Sequence, residues 1–199
     1  MERLKVVLAS GNPHKRRELA VLLPGWELQA LESAGMPEEE GATFYENARE
    51  KARFGRTAGE PDAWMLGEDS GLEVEALGGR PGIRSARYAG PGASDEENVD
   101  RLLEELVAVE GDGRRARYVC ELVCLSPELE EFRGTGTLEG RIAAEPRGSG
   151  GFGYDPVFVP DGEIGTVAEL GDEWKAASSH RARAAGALRT AVGSAPGEE

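Results

Sequence analysis

GEDSG, at residues 67–71, sets Glu68 and Asp69 directly before Ser70. A serine nucleophile needs a general base, usually a histidine held in place by a third group. The only histidines are His14 and His180, no spacing rule places either beside Ser70, and GxSxG does not occur. The two acids suit different chemistry. Together with Glu38, Glu39 and Glu40 of an earlier loop they are hard oxygen ligands that can share Mg²⁺, and Asp69 can accept a proton from an attacking water. In a chain of formal net charge -14 the same acids also read as a solvated surface.

Three more stretches carry candidate chemistry. In SGNPHK (Ser10, Gly11, Asn12, Pro13, His14, Lys15) a glycine turn leads from a buried strand to a helix. Backbone N–H groups, the helix N-terminus, the Asn12 amide and the Lys15 charge then face one point, which suits phosphate. The stretch is not the P-loop GxxxxGK[ST], and it also reads as an ordinary βα turn. In GGFGYDP (150–156) the glycines permit close backbone approach, and Phe152 or Tyr154 could stack on a planar base. Lys175 and Ser179-His180-Arg181 supply hydrogen-bond donors. Such groups donate to a keto oxygen and disfavour an exocyclic amino group; the plainer reading makes Ser179 a helix cap.

These residues need elements to position them. LKVVLAS (4–10) reads as a buried strand, HKRRELAVLL as a helix with Leu19, Leu22 and Leu23 on one side, and WELQAL (26–31) as a second strand. Thr43 with Glu46, and Ser94 with Glu97, have capping-box spacing. Helices follow each, one with Phe44, Ala48 and Ala52 inward, the other with Val99, Leu102, Leu103 and Leu106. AWMLG (63–67) reads as a strand ending at the acids, and LEVEAL (72–77) as a possible further strand. ARYVCELVCLS and EEFRGTGTL pair as a hairpin around Ser126-Pro127-Glu128, and a last helix runs from His180 to Val192. The class is mixed α/β.

With 199 residues and 39% hydrophobic content, the chain forms one domain or two joined lobes. Its acidity argues against binding nucleic acid polymers, whose affinity comes from Lys and Arg. MERLKVVLAS lacks the form of a signal peptide, and no apolar run approaches the ~20 residues of a membrane span. Cys120 and Cys124 read as buried reduced thiols on one face of a strand. A cytoplasmic protein is expected, with residues 193–199 as a disordered tail.

SGNPHK, EEGATFYENAREKA, EDSGLEVEALGGRPGIRSARYAG, RGSGGFGYDPVF and KAASSHR occur in an order that resembles the inosine triphosphate pyrophosphatase family, from about Leu4 to Val192. The resemblance implies an elongated α/β fold: a mixed central sheet, flanking helices and two lobes around a central nucleotide cleft. It implies a homodimer, Mg²⁺ and cleavage of XTP, ITP and dITP to the monophosphate and pyrophosphate. By the same resemblance Asp69 is proton acceptor and metal ligand, and Glu39 is the second ligand by offset among Glu38, Glu39 and Glu40. Ser10 to Lys15 form the triphosphate turn, Lys51 faces the phosphates and Ser70 contacts substrate. Phe152, Gly153, Tyr154 and Asp155 form the base and sugar loop, and Lys175, His180 and Arg181 are base-side and phosphate-side contacts. Glu68 stands where the family often has Asp, and its role is open. A Maf-like nucleotide pyrophosphatase acting on pyrimidine or modified nucleotides is one alternative; Asn12 and Ser179-His180-Arg181 argue against it. A non-catalytic nucleotide-binding protein is another, and the intact acids argue against that.

Overall fold

A computed structural model describes residues 4–31, 35–58 and 62–194. Six strands form one mixed sheet in the order β2-β1-β3-β4-β5-β6. They are β1 (Leu4–Ala9), β2 (Trp26–Ala30), β3 (Trp64–Val74), β4 (Arg115–Leu125), β5 (Glu131–Ile142) and β6 (Phe158–Pro160). The helices are α1 (Pro13–Leu22), α2 (Phe44–Ala58), α3 (Asp95–Glu105), α4 (Val167–Ser178) and α5 (His180–Gly193). β1 is parallel to β2 and β3, and β6 is antiparallel to β5. No helix among the described residues is long and apolar enough to cross a membrane.

Local chemistry explains the helix starts. Asn12 caps α1 by accepting the His14 and Lys15 backbone N–H groups at 2.9 and 3.3 Å, with Pro13 opening the first turn. The Thr43–Glu46 box opens α2, and the Ser94–Glu97 box opens α3. Thr166 and Glu169 form a third box, which opens α4. Neither α4 nor β6 is among the sequence expectations, although TVAE carries the same capping spacing. The expected hairpin is present as β4 and β5, its turn held by Ser126 Oγ, which accepts the Glu128 and Glu130 N–H groups.

One expectation is corrected. The strand AWMLG does not end at Glu68 and Asp69, and LEVEAL is not a strand of its own. β3 runs unbroken through both acids and Ser70 to Val74, and Glu75–Leu77 is a 3₁₀ turn. Carboxylates are tolerated inside a strand here because each meets a cation or amide.

The chain divides into two compact units. Unit 1 comprises Met1–Asp69, Cys120–Gly136 and His180–Glu199; unit 2 comprises Ser70–Val119 and Thr137–Ser179. In unit 1, Val6, Leu8, Leu19, Leu66, Cys120, Leu122 and Leu188 share one core, and Val7, Ala48, Ala52 and Met65 belong to another. The cysteines are buried and free. In unit 2, Leu72, Leu102, Leu106, Ile142 and Phe158 form the core. α5 reaches Gly193, and Ser194 still bonds back to Thr190. The rest of the expected tail, 195–199, lies outside the described residues.

Candidate active site

Three helices of unit 1 each bring a cation to the acids of β3. The first is α1. Ala9 at the end of β1 pairs with Gly67, so the turn that follows β1 leaves the sheet at the level of Glu68. Lys15, in the first turn of α1, reaches Glu68 Oε2 at 2.7 Å. The third is α5, whose Arg181 donates to Glu68 Oε1 at 3.1 Å and to Glu18. The Cys120 thiol donates to the same Glu68 oxygen at 3.7 Å. Burial works against a charged Glu68, but Lys15 and Arg181 outweigh it and hold the carboxyl well below the usual range.

The second helix, α2, reaches Asp69. Gly67 makes this possible: a Cβ there would stand 1.9 Å from the Ala48 carbonyl oxygen, so only glycine lets the helix lie so close to β3. Asn47 and Lys51, four residues apart on one face of α2, then both meet Asp69. Asn47 Nδ2 donates to Oδ2 at 3.0 Å and Lys51 Nζ to Oδ1 at 3.0 Å. Lys51 also donates to Glu39 Oε1 at 2.5 Å and to the Glu68 carbonyl at 3.2 Å. Burial raises the Asp69 pKa above its ordinary value, against the pull of Lys51 and Lys15. Burial would lower that of Lys51, but Asp69 and Glu39 outweigh it and raise it.

This geometry distinguishes the three loop acids. Glu39 is half-buried and shares Lys51 with Asp69, whereas Glu38 and Glu40 are exposed. Two carboxylate oxygens and a main-chain carbonyl thus converge on one point, an all-oxygen donor set of the kind Mg²⁺ prefers. No group of three His, Cys, Asp or Glu side chains among the described residues forms a metal cage.

Of the other turn residues, Ser10 Oγ accepts the Asn12 N–H at 3.3 Å, Gly11 and Pro13 are exposed, and His14 Nδ1 lies 2.9 Å from Arg17. Arg181 is 2% exposed, with its guanidinium engaged on Glu68 and Glu18. His180 is buried at the start of α5.

Unit 2 gathers the remaining candidates. Asp155 is buried and receives Lys175 Nζ at 2.6 Å, the Phe152 N–H at 2.9 Å and the Tyr118 hydroxyl at 3.2 Å. Gly151, at φ 75°, lets the loop close over this carboxylate: a Cβ would stand 2.1 Å from Asp155 Oδ2. Lys175 Nζ sits 4.3 Å from the centre of the Phe152 ring. The alternatives for stacking now separate. Tyr154 is packed in the core, its hydroxyl donating to the Ser85 carbonyl at 2.8 Å, while the Phe152 ring stays half-buried. The Gly153 N–H donates to Asp95 at 2.6 Å, and Ser70, just after Asp69, is partly exposed.

The sequence reading missed Asn47 and Glu18. Both were legible: each lies three or four residues from a lysine already singled out, on the same helical face.

Comparison with known proteins places this geometry in a family. The sequence profile of the Ham1 family matches residues 6–191. A dITP/XTP pyrophosphatase of Opitutus terrae is 46% identical over 192 residues, 91% of this chain and 95% of the relative. One of Thermus thermophilus is 48% identical over 198 residues, covering 97% and 94%. Among solved structures, the Ham1 protein of Staphylococcus aureus superposes with a TM-score of 0.83 at 38% identity, covering 95% of this chain and 98% of the other. A HAM1 protein from Coxiella burnetii gives 0.84 at 39%, covering 96% and 100%. Matched along nearly its whole length, the chain belongs to the Ham1 family.

Proposed function

We propose that the protein hydrolyses non-standard purine nucleoside triphosphates, XTP, ITP and dITP, to the monophosphate and pyrophosphate. The observation that carries this reading is the convergence of Asp69 and Glu39 on one cation position, beside a phosphate-suited turn whose Lys15 is held by Glu68. The relatives' name, dITP/XTP pyrophosphatase, supports the same chemistry.

In this reading Glu39 and Asp69 hold Mg²⁺, which when bound offsets charge on the phosphate oxygens. The chain's own residues do the rest. Asp69 orients a water and takes its proton, with Asn47 fixing the carboxylate through Oδ2. The turn from Ser10 to Lys15 holds the phosphates through the Gly11 N–H and the Lys15 ammonium, and Lys51 adds a second positive charge. Ser70 contacts the substrate. In unit 2, Phe152 offers a ring face for a planar base, with Gly153 and Asp155 in the same loop. Lys175, His180 and Arg181 are the donors that favour a 6-keto oxygen over a 6-amino group. The homodimer and the cytoplasmic setting implied by the resemblance belong to the same reading.

Pyrophosphate release across common and deaminated nucleotides, with and without Mg²⁺, tests it. Turnover is expected with ITP, dITP and XTP, to depend on Mg²⁺, and to be small with ATP. Asp69→Asn is expected to lower kcat at least ~100-fold with the fold intact by circular dichroism. Rapid release from UTP or TTP with ITP inert, or unchanged turnover in Asp69→Asn, overturns the reading.

A further inference from the structure

The Lys51 ammonium sits where the two proposed metal ligands meet. It bonds Glu39 Oε1 at 2.5 Å, Asp69 Oδ1 at 3.0 Å and the Glu68 carbonyl at 3.2 Å, and the residue is 7% exposed. The other Asp69 oxygen is held by Asn47. A buried carboxylate pair without a cation would repel and lose its hydration at once. Lys51 relieves both. It is a flexible point charge on a long stem, able to change partners without moving α2.

From this geometry we infer that Lys51 is a resident counter-cation that keeps free divalent metal off Glu39 and Asp69 until a triphosphate arrives to take over its charge. The inference rests on the reading of Glu39 and Asp69 as metal ligands and adds an order to it. Coordination of the same two oxygens requires the ammonium to leave them or to tolerate a second cation a few ångströms away. Neither is favourable while Lys51 has no other anion to bind. The phosphate chain supplies one, so Lys51 exchanges carboxylates for phosphate oxygens as the metal–nucleotide complex enters. Free metal alone has no such exchange to offer. The enzyme therefore takes up metal and nucleotide together, and its carboxylates stay neutralised between turnovers.

The test needs no turnover. Mn²⁺, a paramagnetic stand-in for Mg²⁺, is titrated into the nucleotide-free protein and followed by electron paramagnetic resonance. Lys51→Met is expected to bind Mn²⁺ at least ~10-fold more tightly than wild type, because a like charge has been removed from the site. Adding Glu39→Gln to that variant is expected to abolish the gain. Thermal unfolding gives a second readout: added Mg²⁺ should raise the melting temperature of Lys51→Met and of Lys51→Gln more than that of wild type. A folded Lys51→Met that binds Mn²⁺ no more tightly than wild type overturns the inference. So does a variant that stays unfolded in Mg²⁺, since a metal free to take the carboxylates would restore it. If wild type still releases pyrophosphate from ITP in an Mg²⁺-dependent way, only the inference has failed. If the tighter Mn²⁺ site survives Glu39→Gln and Asp69→Asn, the metal lies elsewhere and the reading of the ligands fails with it.

Discussion

Glu68 is fully buried, yet its carboxyl is held ionised, because Lys15 and Arg181 meet one oxygen each. Its part is to hold those two side chains in place. Sequence alone left it open because its partners are 53 and 113 residues away, and only the fold brings them together. Asp69, by contrast, could be singled out from the local string and the resemblance. Removing half of a buried ion pair strands the remaining charge, so Glu68→Gln is expected to lose about 3 kcal/mol of stability at pH 7. The pH dependence has a definite sign. Burial opposes ionisation of Glu68, the two cations prevail, and its folded pKa lies below the unfolded value near ~4.3. The stabilisation is therefore complete above that value and declines as pH falls, by about 1.4 kcal/mol per pH unit. Urea midpoints at pH 7, 5 and 3 check this. The gap between wild type and Glu68→Gln should be equal at pH 7 and 5 and smaller at pH 3; a constant gap would show that Glu68 contributes only shape.

At the scale of elements, the site depends on how closely α2 lies on β3. Gly67 faces the backbone of α2, with Ala48 O at 1.9 Å and Ala52 N at 2.7 Å from the position of a Cβ. Backbone cannot give way as a side chain can. Gly67→Ala should therefore push the helix off the strand, separate Asn47 and Lys51 from Asp69, and lose about 3 kcal/mol of stability as an overpacked core does. Gly55, on the same helix, is the control. Its Cβ would meet the Met65 sulfur at 3.3 Å and Ala9 Cβ at 3.4 Å, contacts a flexible thioether can relax, and alanine favours the helix. Urea unfolding together with pyrophosphate release should show Gly67→Ala impaired in both and Gly55→Ala close to wild type. Equal behaviour of the two would refute the close-approach argument. This scale also marks how far the sequence could be read. Capping boxes and apolar periodicity located α1, α2, α3 and α5, because those signals are local. β3 was cut short because acids and a glycine look like a strand's end, and their buried partners, which permit the strand to continue, leave no local trace. β6 is only three residues long, too short for any alternation to show.

Charge acts on the whole molecule, and here two influences on substrate compete. The chain carries a formal net charge of -14, which repels a nucleoside triphosphate at long range. Lys15, Lys51 and Arg181 attract it at short range, but each is already paired with Glu68, Asp69, Glu39 or Glu18. The local field is thus largely cancelled until contact, and the global repulsion should dominate the approach. Salt screens that repulsion: the Debye length falls from about 30 Å at 0.01 M to about 8 Å at 0.15 M ionic strength. The contacts at the site are buried and are screened much less. kcat/KM for ITP, measured at fixed free Mg²⁺, is therefore expected to rise by about twofold over that range, limited by the loss of repulsion on association. A protein that drew its substrate in with uncompensated cations would show the opposite slope. A steep fall in kcat/KM with salt would mean that the site's cations are not neutralised by their carboxylates before substrate arrives, and would count equally against Lys51 as a counter-ion held by Glu39 and Asp69.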